Sequence, residues 1–227
     1  MFVSPLERAI SWLTPPECII CKTENYMLCY DCRPQYIFQT ESRCYLCNKL
    51  TKSYCVCSSC RSRSALRRVW WLAEYESFIK ELIFGMKYLR KRSYAREFGE
   101  LLADHAPYFN QPTLIVPLPT ASRRVRQRSY DQAVLLAQSF AQARRLPLRQ
   151  VLRRKNQADQ IGLSRQARFK QMEKAFGIRD VSLKGRSVLL VDDVLTTGAS
   201  LESAARLLRK HGAKHVDAAV VARHLLK

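Results

Sequence analysis

Acidic residues are scarce in this chain of 227 residues, which has 19 aspartates and glutamates against 39 lysines and arginines. The formal net charge of +20 is typical of a protein that binds polyanions. Long apolar runs are also missing, since no stretch approaches the roughly 20 residues that a helix needs to span a bilayer. The first residues, MFVSPLERAISWL, lack the basic start and the small-residue cleavage site of a secretory signal. We therefore expect a cytoplasmic protein with no membrane span.

Cysteine is absent after residue 60, yet nine cysteines precede that point. Eight of them form four CxxC pairs, namely Cys18 and Cys21, Cys29 and Cys32, Cys44 and Cys47, and Cys57 and Cys60. Tetrahedral zinc takes four thiolates, and a CxxC turn presents two of them from one tight loop. We predict two structural zinc sites, because the segment has few large apolar residues for a core of its own.

The spacing of the cysteines leaves their grouping open. Sequential grouping, first pair with second and third with fourth, keeps each loop short and costs the least loop-closure entropy. Interleaved grouping, Cys55 in place of Cys57, and a single zinc with spare thiols are alternatives. A disulfide framework is disfavoured, because it belongs to secreted proteins and no signal peptide is evident.

A basic, turn-rich run, RSRSALRR, follows Cys60 and predicts a domain boundary. Residues 1–62 would hold a helix over 4–13 and a small cysteine-rich zinc-ribbon module, and residues 63–227 a second domain. Strand patterns in VWWLAEY, TLIVPLP, 148–152, 188–191 and HVDAAVVAR alternate there with helical patterns, one of which reaches about Phe140. This alternation predicts an α/β domain with a parallel sheet, which binds ligands at the carboxyl ends of its strands.

The stretch VDDVLTTGAS, residues 191–200, joins the apolar run 188–191 to a helical pattern that stops at Gly212. Its glycine, its hydroxyls and the positive end of the following helix suit a phosphate. Asp192 and Asp193 suit the vicinal hydroxyls of a sugar or a hydrated Mg²⁺ ion. The stretch therefore predicts a ribose 5-phosphate site. The alternative is a helix-capping turn with a solvated pair of aspartates.

Three segments carry a family resemblance. VLLVDDVLTTGAS resembles the phosphoribosyl pyrophosphate (PRPP) motif of type I phosphoribosyltransferases. VPLPTASRRVRQRSYDQAVLLA, from Val116, and QIGLSRQARFKQMEKAFGI, from Gln160, resemble the pyrophosphate-side loop and the flexible loop of the ComF (competence protein F) family. The resemblance implies a type I phosphoribosyltransferase-like α/β domain preceded by a double zinc ribbon.

The resemblance also implies ligand residues. Asp192 and Asp193 would face the ribose hydroxyls of Mg-PRPP, and the 5-phosphate would lie against Thr196, Thr197, Gly198, Ala199 and Ser200. The pyrophosphate would be bound by Arg123, Arg124 and Arg126. The flexible loop would carry Arg165, Arg168 and Lys170. No catalytic residue and no acceptor pocket is identified. The sequence departs from the expected Arg-Gly-Phe-Asn-Gln at residues 128–132, which read RSYDQ, and has Gln171 where an Asn is expected.

The basic residues are clustered, which favours a polyanion over a small substrate alone. Single-stranded DNA is the predicted polyanion, and its predicted contacts are Arg67, Arg68, Lys87, Arg90, Lys91, Arg92 and Tyr94. Aromatic side chains near the basic runs would stack on unpaired bases. They are Tyr88, Tyr94, Tyr108, Phe109 and Tyr130. The alternative is that the charges are solvated faces and the aromatic rings belong to the core.

The ComF resemblance implies a function as well as a fold. It implies a zinc protein with a PRPP site that handles incoming single-stranded DNA during natural transformation, with other DNA-uptake proteins as further candidate partners. Two alternatives fit the same residues: an active phosphoribosyltransferase on an unknown acceptor, and a non-catalytic regulator that senses PRPP. A recognisable acceptor pocket would favour the enzyme, because possession of a PRPP site does not establish transfer.

Overall fold

The computed structural model describes residues 15–37, 41–107, 109, 111–155, 175–179 and 181–224. The helix predicted over 4–13 lies outside the described residues. So do residues 160–174 of the predicted flexible loop, with Arg165, Arg168, Lys170 and Gln171.

Within the described residues, six strands form two sheets. They are β1 (Val69–Glu74), β2 (Thr113–Pro117), β3 (Leu152–Arg154), β4 (Phe176–Ile178), β5 (Ser187–Leu195) and β6 (His215–Arg223). The main sheet is fully parallel, in the order β1–β6–β5–β2, and β3 pairs with β4 antiparallel. The predicted α/β domain with a parallel sheet is therefore confirmed.

Seven helices lie in the described ranges. They are α1 (Arg33–Tyr36), α2 (Ser58–Arg61), α3 (Ser77–Tyr88), α4 (Arg92–His105), α5 (Ser122–Arg128), α6 (Gln132–Ala143) and α7 (Ala199–Lys210). None of these seven has the length and hydropathy of a membrane span. The single helix predicted to reach Phe140 is two helices, α5 and α6. Ser129 turns left-handed at the end of α5 (φ 66°), and the carboxylate of Asp131 caps α6 by accepting the backbone N–H of Ala133.

The strand predicted over 148–152 is wrong in position. Leu148 forms an isolated parallel bridge to Ile115 of β2, whereas β3 begins at Leu152. The backbone on either side of Leu148 bonds Ile115, through the carbonyl of Pro147 and the N–H of Arg149. Pro147 has no N–H with which to lengthen this pairing. The chain then leaves the edge of β2 and pairs with β4.

Both faces of the main sheet are buried, as expected for parallel strands. Successive strand residues point to opposite faces, so Trp70 packs in one core and Trp71 in the other. Helices α3, α4 and α6 cover the face of Trp70, and α7 covers the face of Trp71. The carboxyl ends of β2 and β5 thus emerge between two helical layers.

The cysteine-rich module contributes to both cores. Met27 and Leu28, from the first half of the module, are fully buried in the core with α3, α4 and α6. Tyr45 and Val56, from the second half, lie in the core with α7. Each half of the module is therefore fixed to a different face of the sheet.

A buried aspartate holds the segment that follows the module. Asp217 of β6 is 3% exposed and accepts hydrogen bonds from both neighbouring arginines, Arg67 (2.6 Å) and Arg68 (2.8 Å). The backbone N–H of Arg67 also bonds the carbonyl of Val216 at 2.8 Å. Specific contacts thus bind the basic run after Cys60 to the first residues of β6. The predicted boundary near residue 62 stays a prediction.

Candidate functional site

The two adjacent aspartates lie inside a strand. The apolar run predicts a strand over 188–191, but β5 continues to Leu195. Because strand residues alternate between faces, Asp192 and Asp193 point to opposite sides of the sheet. Asp193 faces α3 and α6, where it accepts hydrogen bonds from Lys87 Nζ at 2.6 Å and Gln132 Nε2 at 2.9 Å. The two carboxylates therefore have different surroundings.

Asp192 lacks a comparable cation contact among the described residues. Its Oδ1 accepts the backbone N–H of Asp193 at 2.8 Å. Burial, and then the negative charge of Asp193, raise the pKa of Asp192 to about 8. A carboxylate in this situation gains free energy from any group that favours its charged form, such as a metal ion or a sugar hydroxyl.

The loop after β5 has the features of a phosphate site. Thr196 and Thr197 are exposed, and Gly198 adopts a left-handed conformation (φ 75°) as the N-cap of α7. The first N–H groups of a helix have no intrahelical acceptor and carry the positive end of its dipole. Ala199 and Ser200 begin α7 and are half-buried. The loop thus places two hydroxyls and a helix start beside the end of β5.

Helix α5 carries the predicted pyrophosphate cations beyond the end of β2. Arg123, Arg124 and Arg126 are all exposed. The structure gives none of the three an acidic partner among the described residues. These guanidinium groups are therefore available to an anion at the carboxyl edge of the sheet.

The residues that depart from the expected Arg-Gly-Phe-Asn-Gln pattern have clear structural roles. Ser129 occupies a left-handed position (φ 66°), which explains a preference for glycine there. Tyr130 donates a hydrogen bond through its hydroxyl to the carbonyl of Met86. Asp131 accepts the hydroxyl hydrogen bond of Thr120 at 2.9 Å and caps α6, and Gln132 binds Asp193. Through Gln132, which keeps the expected residue, this loop is tied directly to Asp193.

The predicted DNA contacts divide into bound and available residues. Arg67 and Arg68 bind Asp217, and Lys87 binds Asp193. Arg90 and Lys91 are exposed, although Lys91 also donates to the hydroxyl of Tyr94 at 3.0 Å. Arg92 packs over the ring of Tyr130 and donates to the carbonyl of Ser129.

The predicted stacking role of Tyr94 is wrong for this conformation. Tyr94 is 4% exposed and packs in the core, so its ring cannot receive a base. Tyr130 is likewise buried, Phe109 packs against the core, and Tyr108 lies outside the described residues. The alternative that these rings serve packing therefore holds for Tyr94, Phe109 and Tyr130. Tyr88 is 55% exposed.

A large groove joins these exposed groups to the first cysteine pairs. Its volume is about 1440 Å³, and it runs between Pro15–Lys22 and helices α3 and α4. Seven basic residues line it, against two acidic ones: Lys22, Lys80, Lys87, Arg90, Lys91, Arg92 and Arg96, with Glu17 and Glu81. Phe84 and Tyr88 lie on its wall, 51% and 55% exposed, with ring centroids 4.9 Å apart. Phe84 is not among the residues predicted from the sequence, although its position one helical turn before Tyr88 indicates that the two rings lie side by side.

The eight paired cysteines form two compact groups. Cys18, Cys21, Cys29 and Cys32 form one, and Cys44, Cys47, Cys57 and Cys60 the other. In each group the sulfur atoms lie within 4.8 Å of one another. Cys55 belongs to neither group among the described residues. The sequential grouping is therefore confirmed, and each group can hold a zinc ion.

A local hydrogen bond favours the thiolate at one cysteine of each group, whereas burial raises the pKa of Cys32 in the first group to about 12. A hydrogen bond with the Thr23 hydroxyl lowers the pKa of Cys21 to about 6, and Ser59 lowers that of Cys57 similarly. In the first group, Cys18 Sγ accepts the backbone N–H of Cys29 at 3.4 Å. The donor set fits zinc, which takes deprotonated thiols held by such second contacts.

Residues 88–226 match the phosphoribosyl transferase domain. The chain therefore belongs to the phosphoribosyl transferase domain family. It is 27% identical over 222 residues to competence protein ComFC of Bacillus subtilis, covering 90% of this chain and 83% of that protein.

Two further relatives agree. Competence protein F of Haemophilus influenzae is 28% identical, with 83% of this chain and 93% of that protein covered. DNA utilization protein YhgH of Escherichia coli K12 is 26% identical, with 84% and 94% covered. The resemblance to the ComF family is thereby confirmed.

We predict about two zinc ions per purified chain, because each cysteine group offers one tetrahedral set. Cys57→Ser should remove one ion, whereas Cys55→Ser should remove none, since Cys55 lies outside both groups. Elemental analysis of folded, reduced protein measures both. Loss of zinc from Cys55→Ser but not from Cys57→Ser would contradict the grouping.

We predict that Asp192→Asn stabilises the protein at alkaline pH. The raised pKa means that the folded chain binds this proton more tightly than the unfolded chain, so the carboxyl costs stability as the pH rises toward 8. The gain should be on the order of 1–3 kcal/mol at pH 9 and should shrink toward pH 5. Denaturant unfolding at the two pH values measures it.

Asp193→Asn is the matched control for this prediction. It should destabilise the protein, because it removes the acid that Lys87 contacts at 2.6 Å. An Asp192→Asn protein that is less stable than the original at pH 9 would refute the prediction that the Asp192 carboxylate lowers the stability of the fold.

Proposed function

We propose that this protein binds Mg-PRPP at the carboxyl edge of its sheet and handles single-stranded DNA, as a ComF-type protein. The observation that carries the first part is the position of Asp192 near the carboxyl end of β5, just before a loop that presents two exposed hydroxyls and the start of α7. The raised pKa of Asp192 supports this assignment, because such a carboxyl group gains from a cation or hydroxyl partner. Relatives named for competence and DNA utilization support the second part.

In this proposal the residues divide the ligand between them. Asp192 takes the ribose hydroxyls or the ion, Thr196–Ser200 take the 5-phosphate, and the arginines of α5 take the pyrophosphate. Asp193 positions Lys87 and Gln132 rather than the sugar. Mg²⁺ would neutralise pyrophosphate charge that the protein's cations leave uncompensated.

The groove supports the nucleic-acid part. Its excess of basic side chains suits a phosphate backbone, and Phe84 and Tyr88 suit unpaired bases. A duplex has no free base faces to offer these rings, so a single strand is the better fit. The groove reaches Lys87, which bonds Asp193. Bound DNA would therefore approach the phosphoribosyl site.

The short distance between the groove and Asp193 also favours a second candidate function, phosphoribosyl transfer. A group held in the groove near Lys87 would lie near the carboxyl edge of the sheet, where PRPP is proposed to bind, and could accept the phosphoribosyl group as pyrophosphate leaves. Release of pyrophosphate from PRPP in the presence of an oligonucleotide would favour transfer. Binding of both ligands without release would favour the non-catalytic function.

We predict that wild-type protein binds PRPP only with Mg²⁺ present, and that Asp192→Ala removes this binding while the fold is kept. Calorimetry measures the affinity, and circular dichroism controls the fold. Affinity should also rise with pH through the raised pKa of Asp192, because the ion or hydroxyl requires the carboxylate. Wild-type protein that fails to bind Mg-PRPP would refute the proposal.

We predict that Lys80→Glu and Arg90→Glu weaken binding of single-stranded oligonucleotides of any sequence. Each lost phosphate contact should flatten the log–log salt dependence by about 0.7. Tyr88→Ala should cost about 1–3 kcal/mol without changing that slope, because stacking releases no counterions. Lys210→Glu, an exposed change on α7 away from the groove, is the control. No retardation of oligonucleotides at low salt would overturn the DNA proposal.

A further inference from the structure

The second cysteine group touches the phosphate loop directly. Tyr45 lies between the ligand positions Cys44 and Cys47, and its ring packs against Gly198. A Cβ atom on Gly198 would lie 2.9 Å from Tyr45 Cε2, a distance that real Cβ contacts do not show. Gly198 also needs its left-handed backbone (φ 75°). The glycine thus serves the turn and the close approach of this ring.

A buried hydrogen-bond cluster joins the same ring to α7. The hydroxyl of Tyr45 donates to Glu202 Oε1, and Glu202 lies in the first turn of α7. Ser64 donates to the same oxygen, and the backbone N–H of Ala65 bonds Oε2 at 2.9 Å. Glu202 is 9% exposed and Tyr45 6%. The start of the helix that would face the phosphate is therefore held by Tyr45 of the cysteine-rich module and by Ser64 and Ala65, which follow that module.

A third contact holds the neighbouring strand end. Arg223, the last residue of β6, donates to Asn48 Oδ1 at 2.8 Å and to the carbonyl of Tyr45 at 3.3 Å. Arg223 pairs in register with Leu195, where β5 ends and the phosphate loop begins. The start of α7 and the strand beside the end of β5 are thus both held by residues 45–48, on either side of the loop.

We propose that Tyr45 is a positioning residue of the phosphate loop, so that metal binding by Cys44, Cys47, Cys57 and Cys60 and phosphate binding by residues 196–200 are coupled. With the four cysteines held together, Tyr45 fixes Gly198 and Glu202, and the N–H groups at the start of α7 are preorganised. Without that restraint the loop loses its ring contact. The predicted effect of Tyr45 on PRPP binding rests on the proposed function, whereas its predicted effect on the loop does not.

The coupling is selective for the second group. The first group packs on the opposite face of the sheet, with α3, α4 and α6, and its contacts include Met27 N–H to the carboxylate of Glu97 at 2.9 Å. Cys21 and Cys47 are both exposed members of their groups. The same substitution at these two positions therefore gives a matched pair.

The experiment compares amide hydrogen exchange in wild-type protein, Cys47→Ser and Cys21→Ser, all in the full chain. Cys47→Ser should speed exchange of residues 196–202 on the order of tenfold relative to α6, while Cys21→Ser should not. A merely structural role would speed exchange throughout the domain instead. Equal effects of the two substitutions on the loop, or no effect of Cys47→Ser, would overturn the proposal.

Tyr45 variants separate the ring from the hydroxyl. Tyr45→Phe keeps the ring against Gly198 and loses the bond to Glu202, whereas Tyr45→Ala loses both. We expect faster loop exchange in Tyr45→Ala than in Tyr45→Phe, with zinc content retained in each. Wild-type loop exchange in a folded Tyr45→Ala protein would overturn the proposal without reference to PRPP.

Reciprocity gives the last measurement. If the two sites are coupled, Mg-PRPP must raise the equilibrium affinity for one of the two zinc ions by the factor by which the metal strengthens PRPP binding, and so protect that ion in an equilibrium competition with a chelator. Tyr45→Ala should remove this protection. Protection that persists in Tyr45→Ala would refute the positioning role, whereas a wild type that binds no PRPP would refute only the proposed function, because the exchange result still decides the coupling.

Discussion

A fully parallel sheet needs an apolar cover on both faces, and the rest of this structure depends on how that need is met. Helices supply most of the cover, and the cysteine-rich module completes it with Met27 and Leu28 on one side and Tyr45 and Val56 on the other. A segment of this size buries little apolar surface by itself, so docking on the sheet stabilises it. Metal ions held by the two cysteine groups would add to that stabilisation.

Several of the few acidic residues make specific contacts inside the protein. Asp217 binds two arginines, Asp193 binds Lys87, Glu202 and Glu97 hold the two halves of the module, and Asp131 caps α6. These acids contact internal groups, and the described lining of the groove keeps seven basic residues against two acidic ones, with Lys87 the one that Asp193 pairs. Such internal acids also cost energy, as burial raises the pKa of Glu97 to about 7.

Local patterns predicted much of the fold and part of the site. HVDAAVVAR is strand β6 over its full length, and the CxxC spacing gave both cysteine groups. The end of β5 was missed because the apolar signal stops at Asp192, while the partners that hold Asp193 are 106 and 61 residues away in sequence. Tyr94 was misassigned for the same reason: only tertiary packing decides whether an amphipathic ring is buried.

The two cysteine groups have separate neighbours at the two proposed binding places. Pro15, Ile19 and Lys22, around the first group, form one wall of the groove. Tyr45 and Asn48, within the second, support the phosphate loop and the end of β6. The two groups themselves pack into different cores, on opposite faces of the sheet. Each proposed binding place therefore has its own cysteine group beside it, and all four CxxC pairs come from the one segment that precedes the α/β domain.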